Sequence, residues 1–212
     1  MGAETVIPVD VVRNLGVYLD SELSMKQHVA EVASICYFHL RCVRQVRRCV
    51  GKDITIRLVL AVIMSRLDYC NLVLAGLSQS TLQPLQRVQN AAAQLICDVP
   101  YHKHITPHLH ELHWLPVCSR IEYKLCLTMY NVHNVLLRHV AAGRYTITST
   151  SSVLRRLVEL RRAATLDEIR RTGIYPFWSS GMESISERTR QLSSFSVFKR
   201  ELKTILFSRS FA

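Results

Sequence analysis

Residues 54–77, ITIRLVLAVIMSRLDYCNLVLAGL, form the longest stretch of this chain that is apolar on nearly every side. A helix of that character is buried, which predicts a mostly α fold in which the other segments wrap a central helix. The stretch does not read as a membrane span. Arg57, Arg66, Asp68 and Asn71 interrupt it, whereas a spanning helix needs roughly 20 largely uncharged residues. The polar groups of its second half, Ser65 to Asn71, need partners if they are inside.

Working outward, Ser24 to Val50 predicts an amphipathic helix with Ser24 as N-cap and Gly51 as its stop. Met25, Val29, Val32, Cys36, Leu40, Val43, Val46 and Val50 recur at spacings of three and four and define one stripe. Arg41, Arg44 and Arg48 fall opposite. A solvated face and a phosphate-tracking surface both fit such a stripe. No acidic residue lies between Glu31 and Asp53 to neutralise Arg41, Arg44, Arg47, Arg48 and Lys52, which favours phosphate.

Upstream, the alternation of Leu15, Val17 and Leu19 predicts one short strand in 12–20, which has to pair with something outside itself. Downstream, a helix is expected over 81–97. Leu82, Leu85, Val88, Ala92, Leu95 and Ile96 make its buried face and Gln83, Gln86, Gln89, Asn90 and Gln94 its polar one, with Pro84 in the first turn. Thr106-Pro107 starts a short helix, and Pro116 opens another to about Val140. In that helix Val117, Ile121, Leu125, Thr128, Val132 and Val135 or Leu136 are expected to face inward, with Arg120 and Lys124 four apart on a neighbouring face. The domain organisation that follows is a helical region over 1–140, a linker over 141–152 marked by Gly143 and a Ser/Thr run, and a basic, less regular segment over 153–212. Within the last, 153–171 predicts a basic amphipathic helix, 173–181 is aromatic and irregular, and a final helix over 196–207 buries Phe198, Leu202, Ile205 and Leu206.

The 212 residues carry a formal charge of +11, and of the 27 basic side chains 21 are Arg and 6 Lys. Guanidinium suits phosphate better than ammonium does, so an anionic partner is implied, nucleic acid ahead of an acidic membrane surface. The seven cysteines are odd in number and show no C-x-x-C spacing, which argues for reduced thiols in an intracellular compartment. The pairs Arg155-Arg156 and Arg161-Arg162 suggest the nucleus.

Catalytic signatures are sparse. There is no nucleophile elbow, no phosphate-cradling glycine loop and no cluster of paired carboxylates of the kind two-metal chemistry needs. His102, His104, His108, His110 and His113, with Cys118 nearby, bring zinc to mind. Their spacing matches no closed Cys/His pattern and Pro107 and Pro116 break the backbone between them, so caps and polar contacts are expected instead, with no metal or other cofactor.

Several phrases, in this order, resemble the region after the catalytic palm in LINE-type, jockey-like non-LTR retrotransposon reverse transcriptases. Asn14-Leu15-Gly16-Val17-Tyr18-Leu19-Asp20 with Leu23-Ser24 and His28-Val29 is similar to the segment that leaves the palm in that family. Ser65-Arg66-Leu67-Asp68-Tyr69-Cys70-Asn71 resembles its SRLDYCN signature, and Leu85-Gln86-Arg87-Val88-Gln89-Asn90-Ala91-Ala92 its LQ-x-VQN-x-A. His104-Ile105-Thr106-Pro107, Leu112-His113-Trp114-Leu115-Pro116-Val117 and Arg120-Ile121-Glu122-Tyr123-Lys124 follow, then Phe198-Lys199 and Leu202-Lys203-Thr204-Ile205-Leu206-Phe207.

The resemblance implies a thumb-like module preceded by a remnant palm strand, with the catalytic aspartates of the family lying upstream of that strand. No Asp-Asp pair occurs in the sequence, so the chain alone is expected to be non-catalytic. It implies RNA or an RNA–DNA duplex as partner. Arg41, Arg44, Arg47, Arg48, Lys52, Arg120 and Lys124 are the candidate contacts, while Arg66, Asp68, Tyr69, Asn71, Gln89, Asn90, His113, Trp114 and Pro116 are motif positions expected to serve structure. The alternative is a helical mobile-element remnant that binds no nucleic acid and makes protein contacts only.

Overall fold

The computed structural model describes residues 10–100, 103–141 and 194–211, with 132–141 described by backbone alone. The fold is mostly α. It contains β1 (Val11–Asn14), β2 (Val17–Asp20), α1 (Lys26–Val59), a π-helical turn (Leu60–Met64), α2 (Ser65–Asp68), a 3₁₀ turn (Asn71–Leu74), α3 (Gln79–Cys97), α4 (Thr106–Glu111), α5 (Val117–Ala141) and α6 (Phe195–Phe211). Two compact units result, Met1–Cys118 and Ser119–Ala212. The division falls at the start of α5. The expected linker over 141–152, the basic helix over 153–171 and the aromatic stretch over 173–181 lie outside the described residues.

In the first unit the single strand of expectation is a hairpin that pairs with itself, Val11 opposite Asp20 and Asn14 opposite Val17. Leu15 and Gly16 both take positive φ (47° and 83°), the handedness that lets a two-residue turn follow the twist of its strands. Val17 is buried where β2 packs against α1. Ser24 is not the N-cap of α1. Its hydroxyl and amide both bond the Asp20 carboxylate, and Met25 caps the helix from a left-handed conformation. The Ser24 hydroxyl, followed by the amides of Ser24 and Met25, holds the Asp20 carboxyl below its ordinary range.

Gly51 bends the first helix instead of ending it. At φ 73°, ψ 174° it occupies backbone space open essentially to glycine alone, and helix resumes beyond it with the buried Thr55 hydroxyl donating to the Gly51 carbonyl at 2.6 Å. The 54–77 stretch is therefore a continuation of α1, and it is buried on one side only. Thr55, Val59, Ile63, Met64, Leu67, Asn71 and Leu74 are inside, whereas Ile54, Leu60, Tyr69 and Val73 are 44–54 % exposed. The π turn explains the step from Ile63 to Met64, since one extra residue per turn rotates the inner face by a position. Helix stops at Asp68, because Tyr69 is extended and Cys70 left-handed. Of the stripe expected on α1, Met25, Val29, Cys36, Leu40 and Val43 are buried; Val46 is exposed, and His28 and Ala33 join the core instead.

α3 packs along α1. All six residues expected on its buried face are buried, but it starts at Gln79 with Ser78 as N-cap, so Pro84 is inside the helix and not in its first turn. Its polar side is a solvent face only in part, at the exposed Gln83. Gln89 has no exposed surface and donates to the Leu115 carbonyl at 2.8 Å, while Gln86 accepts the Val117 amide at 2.9 Å and donates to Gln89 and Asn90. These bonds grip the backbone on both sides of Pro116 and satisfy an amide of the first turn of α5, one of the donors that a helix leaves orphaned. Trp114 and Leu115 are buried beside them.

In the second unit α5 and α6 run antiparallel. Tyr130 stacks on Phe198 with ring centroids 4.1 Å apart, and Ser119 meets Ser210 at 2.9 Å. Phe198, Leu202 and Leu206 recur every four residues and are buried, each contributing about 1.5–3 kcal/mol of apolar burial. Ile205 is half-buried. The inner line of α5 is Ile121, Glu122, Cys126 and Tyr130; Leu125 is half-buried and Thr128 exposed, contrary to their expected inward positions. Glu122 is admitted because Arg209 forms an ion pair with it. Burial pushes the Cys126 thiol up to about 12 and Cys36 to about 11, as expected of thiols used for packing.

Candidate nucleic-acid interface

The outward stripe of α1 reaches the Gly51 bend and there meets the C-terminal end of α3. Between them lies an open cleft of about 1160 Å³. Arg41, Arg44, Arg47 and Arg48 line it from α1, Lys52 enters just past the bend, and Gln94, Cys97 and Asp98 form the facing wall. Arg41, Arg44, Arg48 and Lys52 are exposed, and Arg47 is half-buried.

Five cationic side chains thus share the cleft with one carboxylate. Asp98 lies 51 residues from Arg47 in sequence and accepts its guanidinium at 2.8 Å. That hydrogen bond and the charge of Arg47, with a further contribution from Arg48, hold the Asp98 carboxyl below its ordinary range. The apparent lack of any acid near the arginine run is therefore corrected at one position. Four positive charges remain uncompensated within the cleft lining. Asp98 and Gln94 could not be found from local sequence, because only the packing of α3 on α1 brings them there.

The bend is what turns a stripe into a concave surface. Gly51 itself lines the cleft, and no neighbouring atom lies within 4 Å of where a Cβ would sit. Such a surface can hold successive phosphates through guanidinium groups without reading bases. Arg120 and Lys124, the other expected contacts, are half-buried residues of α5 in the second unit.

The motif residues occupy varied places. Arg66 is exposed, Asp68 is half-buried, and the buried Asn71 amide reaches the Asp68 carboxylate at 3.5 Å. The Tyr69 hydroxyl donates to the Leu15 carbonyl at 2.7 Å. Gln89 and Asn90 belong to the network around Pro116, with Trp114 buried nearby. His113 is exposed and turns the chain at a positive φ of 53°.

Of the histidines considered as metal ligands, the structure groups His108 with two residues outside that set, Cys97 and Glu111, whose donor atoms all lie within 4.8 Å of one another. No helix among the described residues is long and apolar enough to cross a membrane. No family model matches the chain, and no curated protein or solved structure is significantly similar to it.

Proposed function

We propose that the cleft between α1 and the end of α3 binds the phosphate backbone of RNA or an RNA–DNA duplex, recognising shape and charge without sequence. The observation that carries this is the gathering of Arg41, Arg44, Arg47, Arg48 and Lys52 on one concave surface against a single, already paired carboxylate. Tyr37 precedes Arg41 on the same helical stripe, a place from which an aromatic ring can stack on a base. The resemblance of the chain's motifs to the post-palm region of LINE-type reverse transcriptases supports the same partner and a thumb-like gripping role. Without an Asp-Asp pair the chain by itself adds no nucleotides to a primer.

Filter binding of RNA at two salt concentrations tests this. Replacing Arg41, Arg44 and Arg48 together by Gln weakens binding to all sequences alike and flattens the slope of log affinity against log salt by about 2–3, since each neutralised phosphate contributes about 0.7–0.9. The control changes Arg155, Arg156, Arg161 and Arg162 to Gln. If that set and not the helical one removes the salt dependence, the cleft is not the binding surface. Absence of binding even at low salt supports the second reading, a helical module for protein contacts, which the exposed Phe38 and Val46 of α1 favour.

A further inference from the structure

Cys97, which lines the far wall of the cleft, ends α3, and behind it His108 and Glu111, which do not line the cleft, stand one turn apart on α4. The Nδ1 atom of His108 is buried and has no hydrogen-bond partner. It lies 3.6 Å from a Glu111 carboxylate oxygen, too long for a hydrogen bond, and the Cys97 sulfur completes a triangle of donors within 4.8 Å.

We infer that Cys97 Sγ, His108 Nδ1 and the Glu111 carboxylate form a binding site for a divalent cation of the zinc class, with water as fourth ligand. Nitrogen and oxygen donors held about 2.0–2.1 Å from a tetrahedral zinc are separated by about 3.3–3.4 Å, so the His108–Glu111 spacing is already near that of a ligand pair. A thiolate in the set selects zinc-like ions over magnesium or calcium. The fit also resolves two local costs. A buried imidazole nitrogen with no donor to face gains a partner. The Cys97 thiol, held above its ordinary pKa by burial and by the Glu111 carboxylate, gains a positive neighbour that favours its thiolate. Lys52 acts on the thiol in the same sense as a metal would, but repels the dication, and so sets a limit on affinity.

The site ties the end of α3 to α4. It is independent of nucleic-acid binding, although Cys97 also lines the cleft.

Cobalt(II) titration of the reduced full-length chain is the test. One equivalent is expected to produce a thiolate-to-cobalt charge-transfer band and the visible absorption of tetrahedral cobalt, both abolished by zinc. Cys97→Ser is expected to lose the charge-transfer band and His108→Gln to bind at least tenfold more weakly, while Cys42→Ser/Cys49→Ser, which removes the two exposed thiols, retains the spectrum. Zinc is expected to raise the melting temperature of the wild type but not of His108→Gln, whose metal-free melting temperature stays within a few degrees of wild type. No cobalt band, a band that survives in Cys97→Ser, or a band lost with Cys42 and Cys49 overturns the assignment.

Discussion

Gln89 on α3 and Arg48 on α1 belong to polar stripes that look alike in the sequence, each set opposite an apolar one on an amphipathic helix. Gln89 has no accessible surface and closes a network that fixes the backbone around Pro116. Arg48 is exposed and faces the cleft. An amide can be taken inside at modest cost if both its ends are bonded, whereas a guanidinium carries a charge whose desolvation only a close carboxylate offsets. The second unit shows that exception, where Arg209 meets the buried Glu122.

The largest effect is expected from breaking the inner set. Gln89→Ala removes the donor to Leu115 and leaves a cavity, and should lower stability in urea by about 2–4 kcal/mol. A loss no greater than that of an exposed substitution would show that the network holds nothing.

Gly51→Ala probes the bend between the two halves of α1. The added methyl has open space around it, so the loss comes from backbone alone and should be about 1–3 kcal/mol. An unchanged denaturation midpoint would mean that residue 51 does not hold its positive φ.

A smaller effect, visible only on acidification, is expected from His28, which is buried on the inner face of α1 with Nδ1 unbonded. Burial lowers its pKa from the ordinary 6.5, so in the acid range the unfolded chain binds the proton that the folded chain refuses. Above that pH the imidazole is neutral in both states and makes no pH-dependent contribution. Stability therefore falls as the pH drops from 6.5 toward the lowered folded value, and His28→Gln should flatten this part of the profile. A profile of the same steepness in the variant would place the acid sensitivity elsewhere.

The smallest change is expected from the outer set. Arg41→Gln, Arg44→Gln and Arg48→Gln should each shift stability by no more than about 0.5 kcal/mol, because the buried stripe from Met25 to Val43 is untouched and Gln is nearly as good a helix former as Arg. A large loss would make these arginines part of the fold and remove the contrast with Gln89.

The sequence displayed some of this and hid the rest for identifiable reasons. The buried face of α3 followed from spacing because that helix is regular from cap to end. The 54–77 stretch misled because hydrophobicity does not reveal a π turn, or a left-handed Cys70 that ends a helix where no glycine or proline stands. The arginine run was legible as a face, but its curvature was not, since Gly51 announces a helix end as readily as a bend. Asp98, and the meeting of Cys97 with His108, depend on how helices pack.

The Tyr69 hydroxyl, bonded to the tip of the hairpin, has a consequence for the order in which the chain assembles. Two strands alone are marginal in water. Here the turn at Leu15 is fastened by a group that arrives 54 residues later, after all of α1 has been laid down. Closing so long a loop is entropically expensive before helices have formed to shorten the distance. The hairpin, the first secondary structure among the described residues, is thus expected to join the fold late, and Tyr69→Phe to speed the solvent exchange of its amides.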